Sequence, residues 1–118
     1  MEKENVYIHC AGLLGGAVAR ILKDGEYNVK GFIDNNKYLQ DGYLLGWEIK
    51  SPDILKDVPN ALVIICHTNK DTCNEIRIQL KELGLKENQI RIINNLTDIE
   101  SMELLNFRNG LNELFAKI

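Results

Sequence analysis

The residues best placed to do chemistry are Cys10-Ala11-Gly12-Leu13-Leu14-Gly15-Gly16. They lie between a short apolar run and a helical pattern. In that setting a G-x-G-x-x-G turn holds the phosphates of a dinucleotide. Gly12 and Gly15 take the second and third glycine positions, and Cys10 stands in the first. A glycine at 12 lets the main chain approach a pyrophosphate, and one at 15 lets the helix pack closely on the strand. The N–H groups around Gly12, Leu13, Leu14 and Gly15 would then face an anion at a helix N-terminus. Asp34 follows 22 residues after Gly12, with Asn35 beside it. An acid there accepts hydrogen bonds from ribose hydroxyls and repels a 2′-phosphate, favouring NAD-type or nucleotide-sugar ligands over NADP. A plainer reading stands beside this one. Glycine after a strand also serves a tight turn, and Asp34-Asn35-Asn36 is turn chemistry in its own right. Cys10 requires an unstrained φ, so the turn must depart from the fingerprint in detail.

A second candidate loop is Cys66-His67-Thr68-Asn69. It follows the strand expected to neighbour the first one, at the switch point where ligands bind in such sheets. Thr68 and Asn69 are candidates for ligand contact, for capping the next helix, or for both. His67 is a weak candidate for general acid–base work and a candidate hydrogen-bond donor to a ligand phosphate, a polar rim residue being the commoner fate. Cys10 and Cys66 with His9 or His67 offer neither C-x-x-C nor H-x-x-x-H spacing, so no metal site is expected. Buried strand cysteines behave as small hydrophobes. Tyr38, Tyr43 and Trp47 are expected to pack the sheet edge, with stacking on a base or sugar as the alternative.

The elements that must position these residues alternate. Residues 5–10 (NVYIHC) read as a strand. Ala17, Val18, Ile21 and Leu22 mark a helix over about residues 14–23, ended by Asp24-Gly25. Residues 29–34 form a second strand, 37–45 an irregular stretch and 46–49 a short third strand. Ser51-Pro52 opens a short helix. Residues 61–66 (ALVIIC), apolar on both faces, fit a buried central strand. Cys73, Ile76, Leu80 and Leu83 lie on one helix face ended by Gly84, and residues 89–93 form strand five. This implies an α/β fold: a five-stranded, mostly parallel sheet in the order 3-2-1-4-5, helices on both faces, and a C-terminal helical tail. Residues 1–94 make the domain. Residues 95–118 make the tail, which starts with a capping box at Thr97 and carries the stripe Leu111, Leu114, Phe115 and Ile118. The tail is expected to pack on the domain or to mediate association.

The chain has 118 residues, enough for one domain with its own core. Its formal net charge of −3 speaks against a nucleic-acid module. No apolar run is long enough to span a bilayer, and no secretory signal opens the chain. Three cysteines, an odd number, suggest free thiols in a reducing cytoplasm. Constellations for hydride transfer, such as Tyr-x-x-x-Lys, and hexapeptide repeats for acyl transfer are both missing.

Residues 7–16 (YIHCAGLLGG) with 29–36 (VKGFIDNN) resemble the N-terminal Rossmann-like domains of bacterial surface-sugar enzymes. Those domains accompany sugar acyltransferases, nucleotide-sugar dehydratases and sugar methyltransferases. The likeness continues through Gly46-Trp47-Glu48-Ile49, Ser51-Pro52-Asp53 and the Cys66-His67-Thr68-Asn69 loop, covering residues 5–94. It implies that Gly12, Asp34 and the Thr68-Asn69 loop contact a nucleotide or nucleotide-sugar, such as a UDP-sugar, with NAD as the alternative. The expected role is a small-molecule-binding domain of a polysaccharide-modifying enzyme, a fragment or partner subunit working with a catalytic domain or as a homo-oligomer. Two other readings remain open: a ligand-free Rossmann-like association scaffold, and a small enzyme completed by an oligomer.

Overall fold

The computed structural model describes residues 4–23, 25 and 27–95. The expected C-terminal helices, with their capping box and apolar stripe, lie outside the described residues. Among the described residues the strands are β1 (Glu4–His9), β2 (Tyr27–Ile33), β3 (Tyr43–Leu44), β4 (Trp47–Lys50), β5 (Leu62–Cys66) and β6 (Ile90–Ile93). The helices are α1 (Leu13–Leu22) and α2 (Lys70–Glu82), with short 3-10 turns at Pro52–Asp57 and Glu87–Gln89.

The sheet order is β3-β4-β2-β1-β5-β6. All pairings are parallel except β3 with β4. The five expected strands stand in the expected order. The count is corrected to six by β3, which lies in the stretch read as irregular. It forms because Leu45 and Gly46 both adopt positive φ and reverse the chain into β4.

Alternation along β5 explains why its sequence is apolar throughout. Leu62, Ile64 and Cys66 join Val6, Ile8 and Phe32 under α1, with Val18, Ala19 and Leu22 of that helix. Val63 and Ile65 face the other way, onto Cys73, Ile76 and Leu80 of α2. A strand sandwiched between two helices has no solvent face on which to place a polar residue. Between β1 and β2 the register slips after Val6, which pairs with Val29, while Tyr7 pairs with Gly31. Gly31 has φ of +154°, and a methyl there would press on the Glu48 carbonyl of β4. Only glycine fits this crowded bend.

The ends are set by local chemistry. The Ser51 hydroxyl accepts from the Asp53 N–H, with Pro52 in the first turn, as expected. Gly84, at φ +105°, follows α2 and ends it. No helix among the described residues is long and apolar enough to cross a membrane.

Candidate functional site

The carboxyl ends of β1, β2 and β5 bring the chemistry together. Gly12 is the N-cap of α1, in extended backbone with φ −126° and ψ −166°, and no side chain among the described residues caps this helix. No acidic residue lies in its first turn. The N-terminal amides of α1 therefore keep their partial positive charge. Leu13 is almost wholly exposed there, and Leu14 packs against the core under α1.

The two motif glycines are glycine for different reasons. A methyl on Gly15 would collide with the Cys10 carbonyl oxygen and touch Ile8. That position is fixed by the close approach of α1 to the end of β1. A methyl on Gly12 would meet nothing within 4 Å. Neither its backbone nor its surroundings in the fold require glycine.

Asp34 follows β2 and is already at work. Its Oδ2 accepts from the Ala11 N–H at 3.0 Å, and its Oδ1 from the Asn36 N–H at 2.9 Å. The carboxylate thus ties the glycine loop to the end of β2 and also closes the Asp34-Asn35-Asn36 turn. Each oxygen retains a lone-pair direction for another donor. Asn35 and Gln79 exchange amide hydrogen bonds at 2.8 and 2.9 Å, fastening this turn to α2.

Between the turn and α2 lies a cavity of about 330 Å³. Its walls come from β1 (His9, and Cys10 just beyond), from Asp34, Asn35 and His67 at neighbouring strand ends, and from Thr72, Glu75, Ile76 and Gln79 on α2. Three sequence-predicted residues, Asp34, Asn35 and His67, meet here. Thr68 and Asn69 do not line it, and neither do Gly12, Leu13, Leu14 and Gly15, which lie on the α1 side. Asn69 caps α2, its Oδ1 accepting from the Thr72 N–H at 3.1 Å. His67 Nδ1 accepts from the Asn69 N–H at 3.0 Å. Its carbonyl takes the Cys73 thiol and the Asn94 amide.

His9 went unremarked in sequence, except as a possible metal neighbour. It is only 1% exposed. Its Nδ1 lies 3.2 Å from Cys10 Sγ, and its Nε2 has no partner among the described residues. Burial pushes His9 down to about 4; the Asp34 carboxylate opposes the shift and His67 adds to it. Burial likewise pushes the Cys10 thiol up to about 12, with Asp34 and Cys73 adding. The Cys66 thiol moves the same way. These are protonated thiols, poor nucleophiles and poor metal ligands. A histidine closing an otherwise apolar strand was the signal for His9. The spacing Thr72, Glu75, Gln79 was the signal for the polar face of α2.

Trp47 packs edge-on against Phe32, with ring centroids 6.1 Å apart, as expected of the sheet edge. Tyr38 and Tyr43 are exposed instead. They are too far out on their loop and on the short β3 to be covered.

This architecture, a parallel sheet with a glycine turn at the end of its central strand, defines a Rossmann-like α/β domain. The chain belongs to the family described as C2185-like, N-terminal, whose sequence pattern matches residues 2–91. Among solved structures it is similar to UDP-D-quinovosamine 4-dehydrogenase from Vibrio fischeri, with a TM-score of 0.68 and 24% identity, covering 84% of each chain. It is also similar to RSP, a Rex-family repressor solved with β-NAD⁺ and operator DNA. There the TM-score is 0.60 and the identity 22%, covering 98% of this chain and 60% of the repressor. No curated protein sequence matches the chain.

Proposed function

We propose that this chain binds a nucleotide-type ligand at the carboxyl edge of its sheet and serves a bacterial surface-polysaccharide or other sugar-modifying enzyme. The ligand's phosphates lie at the N-terminus of α1, against the amides of Leu13, Leu14 and Gly15. Its ribose donates to Asp34. A UDP-sugar or other nucleotide-sugar is the first choice of ligand, and NAD the second. The similar UDP-sugar dehydrogenase and NAD-bound repressor support that pair of choices. The three cysteines form no disulfide, in keeping with a cytoplasmic setting. The chain supplies binding, and a catalytic partner domain or a second copy supplies the chemistry.

Gly12 is the observation that carries this reading. A helix N-cap with ordinary φ and open space around it would be better served by Asp, Asn or Ser. A phosphate approaching the main chain supplies the reason for having no side chain there. Gly12→Asp tests this directly, since Asp caps helices well yet brings a negative charge to the phosphate position. The variant should be as stable as the parent or more so, by a few tenths of a kcal/mol, and should lose at least about a hundredfold in affinity for UDP-glucose or NAD⁺. Calorimetry and thermal shift on both proteins read the two effects. Unchanged affinity in a stable variant would end this reading.

Exposed Tyr38, Tyr43 and Leu45 around β3 favour the association scaffold as the second reading. Sedimentation separates the two: association that depends on these side chains, with no nucleotide binding, selects the scaffold.

A further inference from the structure

The cavity between the Asp34 turn and α2 has a composition of its own, distinct from the phosphate turn. At about 330 Å³ it is at the small end of ligand pockets. It can take one ring system, not a whole nucleotide. Two carboxylates, Asp34 and Glu75, are part of its wall, so an anion is disfavoured there. They are also acceptors, suited to a group that carries N–H or O–H donors.

His9 supplies the complement. Its imidazole is neutral, and the neighbouring Cys10 thiol is protonated. Of the two bonds open to this pair at 3.2 Å, S–H to Nδ1 is favoured over Nδ1–H to sulfur, because a ring nitrogen accepts far better than a thiol sulfur. In that arrangement the ring proton sits on Nε2, which has no partner among the described residues. A buried donor left unmatched costs about 1–3 kcal/mol. A bound acceptor recovers that cost, and an apolar replacement avoids it.

We propose that His9 is a specificity-determining residue of this cavity, its Nε2–H donating to a carbonyl oxygen or ring nitrogen of an uncharged, donor-bearing ring of the bound ligand. This rests on the nucleotide reading above and extends it. The phosphates are held on the α1 side by main-chain amides, which select charge. The ring is held on the α2 side by side chains, which select its pattern of donors and acceptors.

The test uses the whole chain with three probes: UDP-glucose, NAD⁺ and inorganic pyrophosphate. His9→Phe should lower affinity for the nucleotide probe that binds by about tenfold or more. It should leave pyrophosphate binding unchanged and the unliganded melting temperature unchanged or raised. His9→Gln, which keeps a donor, should retain most of the affinity. Long-range proton–nitrogen NMR of the unsubstituted protein should show the proton on His9 Nε2, and that resonance should move when the nucleotide saturates. Nucleotide binding that is lost in Gly12→Asp but unaltered in His9→Phe overturns the role of His9 alone. If the Phe variant does not fold, a His9 resonance indifferent to saturating nucleotide overturns it instead. Failure of both nucleotides to bind the unsubstituted chain removes the nucleotide reading and this inference together.

Discussion

Helices α1 and α2 both start where a buried parallel strand ends, but they start in opposite ways. At α1 the cap is Gly12, with no side-chain bond and no acid in the first turn. At α2 the cap is Asn69, whose side chain takes the Thr72 N–H, and Asp71 lies in the first turn. The second helix has its N-terminal charge met from within the chain. The first leaves its own for something outside. The two sides also differ in material. The α1 turn offers main chain, whereas the α2 side offers His9, His67, Glu75 and Gln79. Charge recognition and pattern recognition are thereby separated across the sheet edge.

The sharpest way to break the α1 side is Gly15→Ala. In an ordinary helix this change gains up to about 1 kcal/mol. Here the added methyl meets the Cys10 carbonyl, which is backbone and cannot step aside. We expect a net loss of about 2–3 kcal/mol in urea unfolding. Gly16→Ala is the control, because its methyl would sit 3.4 Å from a Leu45 methyl, an ordinary contact. It should gain up to about 1 kcal/mol. Equal behaviour of the two variants would remove the close approach as the reason for Gly15.

The α2 side should instead respond to pH. His9 falls from 6.5 unfolded to about 4 folded. The unfolded chain therefore binds more protons between those values, and stability must drop as pH falls from 6.5 towards 4. The loss approaches about 3 kcal/mol, at 1.36 kcal/mol per pK unit. The difference between the parent and His9→Phe in urea unfolding at pH 7 and pH 4.5 isolates it. An identical slope in both proteins would assign the acid sensitivity to other groups.

Asn69→Ala should cost about 1 kcal/mol of stability by removing the cap of α2, while leaving nucleotide affinity unchanged. A matching loss of affinity would mean that the cap also reaches the ligand.

The extent to which this was legible in sequence follows the same divide. Strand order and both helices could be read because a sandwiched sheet demands apolar runs and its helices demand stripes. The glycine turn was legible as a motif, but which glycine is structural and which is open needed the position of the Cys10 carbonyl. Strand β3 was missed because two residues carry no periodicity, and positive φ at Leu45 has no residue signature. The cavity was missed for a physical reason. His9, Asp34 and Glu75 come from three separate elements, and only the pairing of β1 with β2 and the seating of α2 bring them to one space. His9 in particular, named in sequence only beside the cysteines, gains its importance from its burial.

The smallest expected effect lies at the far end of α2 and sets the baseline for the others. Arg77 and Lys81 both reach Glu87 in the following 3-10 turn. Hydrogen bonds from Lys81 and then Arg77 hold the Glu87 carboxyl below its ordinary range. A depressed carboxyl contributes stability above its unfolded pKa and loses it as pH falls through the folded value. The sign matches that of His9, but the window is more acidic. All three side chains are partly exposed, from about a third to over half, so solvent and salt screen both contacts. Glu87→Gln should therefore cost less than Asn69→Ala at pH 7, and progressively less as pH falls below the ordinary glutamate value or as salt is raised. A larger, salt-resistant loss would mean that this contact helps seat α2, and with it the α2 wall of the cavity.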